Sequence, residues 1–573
     1  MIINQLADDV ISALTENLES AWDWFSQQFY AEVSSQQADH LLVRIGQRFD
    51  LRQMEQACQE YHVYSGGRGQ EAVHLVRHLC RALLVKYLYA WSYRQTARQL
   101  GENLVVRGFV GYGLQQRPMS YGTLYNFAQW VKAQGHDRIL FSTILQQLDE
   151  DFPEEAAAVQ SGDTFAMLAN TAPQTRTAML RDASRRLLRA LKSVSAVAYA
   201  TVESSYVESA LFGAADEKPE YRLSKAARGQ REEQTAQAAH GLLLAAQRAA
   251  QPVVNQRSLE VLALQRWLGI LHKILHDEFL FTLDADGNAS SATLRTKHKT
   301  GAFVIGSTTD SEATFRNHGK QSTLGYNVNV AATPRFIREI YAVTGATPDG
   351  QGVATLVENQ LTHLGMVPPK LIYDRAAGFA KYFAQVDQVS LGQTQLVAAL
   401  VRSGRNPDLF NPNDFTLGAQ GELTCPNGHI STKAYRSQSA DGWNYRFYAT
   451  QCRDCPLLQK CRGDVTPPTK HRQVFISDYA FHQREAIAYT KTTEFKADMK
   501  LRAHIERIIA GLTRYNDARH AHGAGTRNAD FQSRMSAIAY NLKRWHRLIL
   551  DEERQSRLRA TQRRLDDHHP PET

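Results

Sequence analysis

Three carboxylates from distant parts of the chain stand in contexts that could do chemistry: Asp163 in SGDTFAMLANTA, Asp374 at the end of LIYD, and Glu506 in KLRAHIERIIAGL. In the last segment Leu501, Ile505, Ile508, Ile509 and Leu512 predict the core stripe of a helix. Arg502 and Glu506, four residues apart, lie together beside that stripe, so Glu506 can face the edge of a sheet. Asp374 closes an apolar strand, and ligand sites of α/β sheets collect at the carboxyl ends of strands. Asp163 falls in or beside a short strand. Singly, each acid has an ordinary use: a helix ion pair, a cap, a turn residue. Together, three carboxylates suit hard divalent cations such as Mg²⁺ or Mn²⁺. Two such ions ~4 Å apart can activate water or a 3′-hydroxyl for in-line attack on a phosphodiester. Asp310 and Glu312, just ahead of the LGYNVNV strand, are substitutes should the first ligand lie elsewhere.

A second cluster is cysteine. Of six cysteines, Cys425, Cys452, Cys455 and Cys461 crowd into one stretch, with the pattern Cys425-Pro-Asn-Gly-His429 followed by Cys452-x₂-Cys455-x₅-Cys461. Two knuckle-like elements suit a tetrahedral Zn²⁺ site of structural type, built from the four cysteines with His429 as competitor for one position. Four thiolates could also hold an iron–sulfur cluster. Cys58 and Cys80 lie far upstream and read as structural, Cys80 in the apolar register of a helix.

These residues need elements to carry them. The 573 residues hold 66 Lys+Arg against 58 Asp+Glu, a formal charge of +8, with 43% hydrophobic residues. That is an ordinary globular composition with a basic excess, which suits an anionic partner. No apolar run approaches the ~20 residues of a membrane span, and the N-terminus lacks a secretory pattern. A membrane is therefore excluded as partner, and the expected compartment is the cytoplasm.

Residues 1–50 predict an N-terminal amphipathic helical segment. A helix from Gln70 to Ala90 places Val76, Leu79, Leu83 and Tyr87 on its core face, and His74, Arg77, His78 and Arg81 on a face open to phosphate or solvent. Ser92 caps SYRQTARQL, which Gly101 stops, and Ser120 opens SYGTLYNFAQWV after a linker. Two capped helices around a Gly-containing break predict a helix-turn-helix-like DNA-binding unit over 51–150, with Arg94 and Arg98 as phosphate contacts. Residues 151–404 predict a mixed α/β core. Within it, 174–281 form a helical insertion, 324–330 a half-buried strand paired with 336–345, 352–364 a helix, and LIYD and LVAALV (396–401) buried strands. The Cys-rich ribbon occupies 405–475, long helices follow at 480–514 and 531–549 within 476–550, and 551–573 form a frayed polar tail. Basic stretches at 181–192 and 514–527 add cations, Arg514 among them.

The motifs resemble those of the DDE transposases of bacterial insertion sequences, in the group with an N-terminal helical domain ahead of an RNase H-like catalytic core. The resemblance runs from about 60 to 548. YLYAWSYRQTARQLGENLVVRGFVGYGLQQRPMSYGTLYNF is similar to the helical domain. SGDTFAMLANTA resembles the first-Asp motif, EATFRNHGKQSTLGYNVNVA the strand with Gly-Tyr-Asn, and LIYDRAAGFAK the second-Asp motif. RAHIERIIAGL resembles the Arg-x-x-x-Glu helix, and SRMSAIAYNLKRW the terminal helix. The resemblance implies an RNase H-like mixed sheet with a helical N-terminal domain, a helical insertion and a small Cys-rich metal ribbon. It implies Asp163, Asp374 and Glu506 as the ligands of Mg²⁺ or Mn²⁺, and Arg502 as a DNA contact or as the residue orienting Glu506. The implied activity is binding of terminal inverted repeats, cleavage at the element ends and joining to target DNA, by a homodimer or higher assembly in the bacterial nucleoid. A decayed or domesticated copy that only binds DNA, and an RNase H-fold nuclease, are the alternatives.

Overall fold

The computed structural model describes residues 21–61, 75–204, 206–253, 255, 258–296, 303–401, 406, 408–463 and 469–568. The expected helical residues 1–20, His74 and the last five residues of the tail lie outside them.

The N-terminal part is helical throughout. After a helix over 21–36 come α1 (Leu41–Arg48), α2 (Arg52–Ala57), α3 (Val76–Leu88), α4 (Tyr93–Glu102), α5 (Leu104–Val110), α6 (Tyr121–Gln134) and α7 (Asp137–Asp151). Ser92 makes a full capping box with Gln95, and the Ser120 hydroxyl accepts the Thr123 N–H, as their sequence contexts predict. Two expectations fail here. Gly101 does not end α4; it lies inside the helix, where glycine costs only about 1 kcal/mol against alanine. The expected linker is itself α5, because Asn103 accepts the Val106 N–H and restarts the helix at once. The expected helix-turn-helix-like unit thus has three successive helices in place of two around a break. His78 does not face solvent: it is buried, its ring 4.4 Å from that of Tyr112 and its Nε2 3.1 Å from the Gly111 carbonyl.

The sheet begins with β1 (Gln160–Leu168). The chain then leaves it for an insertion of five helices: α8 (Arg176–Val194), α9 (Ala196–Glu203), α10 (Glu208–Phe212), α11 (Lys225–Ala250) and α12 (Leu259–Glu278). These bury their own core of Leu180, Leu187, Leu243, Leu271 and neighbours. The insertion does not stop at 281, since the hairpin β2 (Phe279–Leu283) and β3 (Ala289–Leu294) packs on α11. The chain returns through β4 (Thr314–His318), β5 (Gln321–Ala332), β6 (Ile337–Thr344), α13 (Val353–Leu364), β7 (Lys370–Ile372), α14 (Ala380–Val389) and β8 (Gln395–Val397). The strand order is β4-β5-β1-β7-β8, with β6 also on β5. The β1–β5 and β5–β6 pairs are antiparallel, and β1–β7 and β7–β8 parallel. The β5–β6 hairpin follows the sequence reading, but β5 is not half-buried. From Leu324 to Ala332 every residue is buried, Asn327 and Asn329 included, because helices cover both faces. LVAALV contributes only its first two residues to β8.

Alternation along β1 and β5 separates those faces. Phe165, Met167, Val328 and Val330 meet one core shared with the N-terminal helices and with Ile505, Ile508, Met535 and Leu542. Ala331, Leu371 and Tyr373 meet α13 and α14 on the other side. The Cys-rich segment forms two small sheets, β9 (Thr416–Leu417), β10 (Leu423–Thr424) and β11 (Ile430–Ser431), then β12 (Ala434–Arg436), β13 (Gly442–Phe447) and β14 (Arg472–Ser477). Two short helices, α15 (Ala449–Cys452) and α16 (Leu458–Arg462), intervene.

The expected helix over 480–514 is three: α17 (Ala480–Thr490), α18 (Thr493–Leu501) and α19 (Ala503–Tyr515). The break at Arg502 removes Leu501 from the core stripe and leaves it exposed, while Ile505, Ile508 and Leu512 are buried. The expected frayed tail is also wrong over its described part. One helix, α20 (Thr526–His568), runs through it, in keeping with its Glu, Arg, Gln and Leu content. Among the described residues no helix is long and apolar enough to cross a membrane.

Candidate active site

Parallel pairing sets Gln160 beside Leu371 and Ser161 beside Ile372. The same register carried two residues on brings Asp163, inside β1, beside Asp374, just past the end of β7. Neighbouring strands are only about 4.8 Å apart, and the Asp374 charge acts directly on Asp163. Burial is the main influence holding the Asp163 carboxyl above its ordinary range. Its bond from the Thr164 N–H and the Arg502 charge oppose that effect, and Asp374 adds to it. Asp374 also does what a lone acid there would do, its Oδ1 accepting the Ala376 N–H at 2.9 Å to cap the 3₁₀ turn Arg375–Ala377.

Asp163 shares its face of the sheet with α19. Arg502, the residue joining α18 to α19, donates from Nη2 to Asp163 Oδ2 at 2.6 Å, and its Nη1 lies 3.6 Å from Glu506 Oε1. The Arg502–Glu506 pair therefore exists as the spacing predicts, with its guanidinium turned chiefly to Asp163. Glu506 itself is 70% exposed. Asp163, Arg502 and Glu506 thus form one chain of contacts, with Asp374 beside Asp163. Their oxygen donors fit a hard dication in kind. In this arrangement they do not converge on one point, and among the described residues no group of three or more His, Cys, Asp or Glu is placed to hold a metal ion.

Asp310 and Glu312 serve elsewhere. Asp310 is buried, accepts from the Tyr326 hydroxyl and takes the Gly525 N–H at 3.1 Å. Glu312 takes the Thr526 N–H at 2.9 Å, so both fix the start of α20. Tyr326 pairs with Met167, four residues along β1 from Asp163, or roughly 13 Å.

The sequence reading missed a network on the opposite face. Asp349 takes hydrogen bonds from Thr164 Oγ1 at 2.8 Å, Asn327 Nδ2 at 2.7 Å and Arg316 Nη2 at 3.0 Å. Burial raises its pKa, but Arg316 and the two hydrogen bonds outweigh that and leave it below the ordinary value. Thr164 adjoins Asp163, so this network fixes the strand from behind. Two asparagines in an otherwise apolar strand were the signal available for it.

The predicted DNA contacts are scattered. Arg94 is exposed, its guanidinium 5.1 Å from the Tyr121 ring centroid, which joins the starts of α4 and α6. Arg98 is exposed but paired with Glu102 at 2.8 Å. Arg514 is exposed near the end of α19. Arg527, in the same basic stretch, is drawn inward, donating to the Lys132 carbonyl and pairing with Asp137.

Cys425, Cys452, Cys455 and Cys461 line one cavity of about 30 Å³, with His429 also on its wall. Tight turns shape it: Gly428 donates to the Cys425 carbonyl at 2.9 Å, and Cys461 to that of Leu457 at 2.9 Å. All four are free thiols, and burial raises those of Cys452 and Cys461. The cysteines share a cavity without being drawn into a ligand cluster.

Residues 424–546 match the family described as transposase DDE domain, and residues 31–130 match the transposase domain of otherwise undefined function. The first segment contains the four cysteines, Arg502, Glu506 and Arg514, and the second Arg94 and Arg98, whereas Asp163 and Asp374 lie between them. Comparison with curated proteins and with solved structures gives no match.

Proposed function

We propose, on the premise that the chain is a DDE transposase of the insertion-sequence type, that it binds the terminal inverted repeats of its element, cleaves the ends and joins them to target DNA. DNA is the partner, and metal-dependent strand cleavage and transfer the chemistry, that this family implies. The observation that carries the finer reading is the placement of Asp163 on β1 beside Asp374 just past the parallel β7, with Arg502 bonded to Asp163 and Glu506 of α19 next to Arg502. The order β6-β5-β1-β7-β8, three antiparallel strands then two parallel ones, supports an RNase H-like core with the helices between β1 and β4 as an insertion. Residues 51–150 are its DNA-binding part, 405–475 its ribbon and 476–550 the helices that bring Glu506.

Bound through Asp163, Asp374 and Glu506, Mg²⁺ or Mn²⁺ would supply the activation of a water or 3′-hydroxyl and stabilise the leaving oxygen. The chain's own part is positioning. The sheet fixes the two aspartates, the Asp349 network holds β1 from behind, and α19 carries Glu506 on a rigid turn. Arg94, Arg98 and Arg514 meet phosphates, giving binding that weakens steeply with salt. At the ribbon, thiol chemistry and the shared cavity favour one structural Zn²⁺ held by the four cysteines. Synapsis of two ends calls for a dimer or larger assembly, and access to the element's DNA for the bacterial cytoplasm.

End-labelled inverted-repeat DNA, taken from the sequence flanking the gene, tests the reading with wild type and with Asp163→Ala, Asp374→Ala and Glu506→Ala. We expect Mg²⁺-dependent cleavage and joining in wild type and their loss in all three variants, with DNA binding retained. Binding without cleavage in wild type would indicate a decayed copy. Cleavage indifferent to the repeat sequence would indicate a nuclease.

A further inference from the structure

Asp163 uses both carboxylate oxygens inside the protein: Oδ1 accepts its neighbour's Thr164 N–H at 2.8 Å, and Oδ2 accepts Arg502 Nη2 at 2.6 Å. A divalent cation on Oδ2 would stand within a few ångströms of the guanidinium, and like charges at that range repel strongly where water is largely excluded. Arg502 and a metal ion therefore compete for one oxygen. The arginine is suited to leave. It sits at the joint between α18 and α19, its side chain is 22% exposed, and its Nε is buried with no hydrogen-bond partner. Its second carboxylate, Glu506, is 3.6 Å away and largely in solvent.

We propose that Arg502 is a removable counter-charge: in the DNA-free protein it occupies the metal position of Asp163, and a DNA phosphate draws it away, so that divalent-cation loading is coupled to DNA binding. The inference rests on reading Asp163 as a metal ligand. Arg502 is then a positioning residue that acts through Asp163.

The test measures Mn²⁺ binding to the full chain, by the loss of the free-ion electron paramagnetic resonance signal, without any activity readout. In the absence of DNA, Arg502→Gln should bind Mn²⁺ about tenfold more tightly than wild type, and Arg502→Lys should stay near wild type. Adding a duplex of arbitrary sequence should raise wild-type affinity by a similar factor and leave Arg502→Gln unchanged. Arg502→Met provides the same comparison if circular dichroism shows that the glutamine variant is unfolded. Asp163→Ala in the Arg502→Gln background should abolish the gain. Equal Mn²⁺ affinity in wild type and Arg502→Gln, with both lost on Asp163→Ala, would overturn the counter-charge and leave the metal reading standing. Mn²⁺ binding indifferent to Asp163→Ala would overturn both.

Discussion

Asp137 is fully buried at the start of α7, yet it is charged and meets two arginines of α20, Arg527 and Arg534. Arg534, itself 4% exposed, also pairs with Asp530 at 2.9 Å, and Asp530 Oδ1 accepts the Ala342 N–H of β6 at 3.3 Å. Arg138, next to Asp137, pairs with buried Glu339 of β6 at 2.6 Å. Three acids and three arginines thus join the N-terminal helices, the sheet and the C-terminal helix. Asp137→Ala leaves Arg534 buried with half its counter-charge. Removing one partner of a buried pair typically costs about 3–5 kcal/mol, because the other is stranded without water. Against a usual total of about 5–15 kcal/mol, that is a large fraction. Urea unfolding followed by tryptophan emission is the assay, since Trp130 and Trp545 lie in the core that the network borders. The midpoint should fall sharply for Asp137→Ala. In the double variant Asp137→Ala/Arg534→Met, part of the loss should return, because the most deeply buried guanidinium left short of counter-charge is gone. A single-variant cost below about 1 kcal/mol, or a double variant no better than the sum of the singles, would refute the reasoning.

Lys86 is 1% exposed, its Nζ 3.8 Å from the Tyr87 ring centroid and without a hydrogen-bond acceptor, and burial lowers its pKa to about 8. The unfolded chain binds this proton more tightly than the folded one, so stability should rise between about pH 8 and 10.5, by roughly 3 kcal/mol. Melting temperatures across that window should show the rise, and Lys86→Met should be more stable at pH 7 with a flatter profile; a steeper profile in the variant would contradict this account. A Cβ on Gly162 would lie 2.7 Å from the ring of Tyr373, the neighbour of Asp374. Gly162→Ala should therefore cost about 1–3 kcal/mol and reduce cleavage, and an unaltered melting temperature would count against close packing there. For the ribbon, Cys452→Ser should release about one Zn²⁺ per chain by elemental analysis; finding iron, or no metal in wild type, would reject the zinc assignment.

Local signals read well where the physics is local. Ser92 and Ser120 cap their helices because a hydroxyl answers an N–H three residues on, and Arg502 meets Glu506 because four residues make one helical turn. The β5–β6 hairpin was legible for the same reason. Where a distant segment decides, the sequence misled. Asn327 and Asn329 looked solvent-facing until the loop carrying Asp349 and the helix α13 covered that side of the sheet. The hydrophobic register through Leu501 to Leu512 concealed a break at Arg502, whose guanidinium is engaged by an aspartate more than 300 residues upstream. The terminal segment lacks an apolar stripe and so read as frayed, but strong helix formers extend α20 through it.

The charge balance changes meaning in the same way. A surplus of eight cations suggests a surface prepared for DNA, but several arginines are spent on internal carboxylates: Arg181 and Arg527 of the two basic stretches on Glu217 and Asp137, and elsewhere Arg534 on Asp137, Arg316 on Asp349 and Arg502 on Asp163. Of the arginines expected to meet phosphates, Arg94 and Arg514 are exposed and outside any carboxylate pair among the described residues, whereas Arg98 is paired with Glu102. The slope of log affinity against log salt should therefore fall by about one when either Arg94 or Arg514 is replaced, and by less when Arg98 is. Arg502 alone belongs to both inventories. Internally paired before DNA arrives, it adds little to the first encounter, and it enters the count of phosphate contacts only when Asp163 is given up to a metal ion.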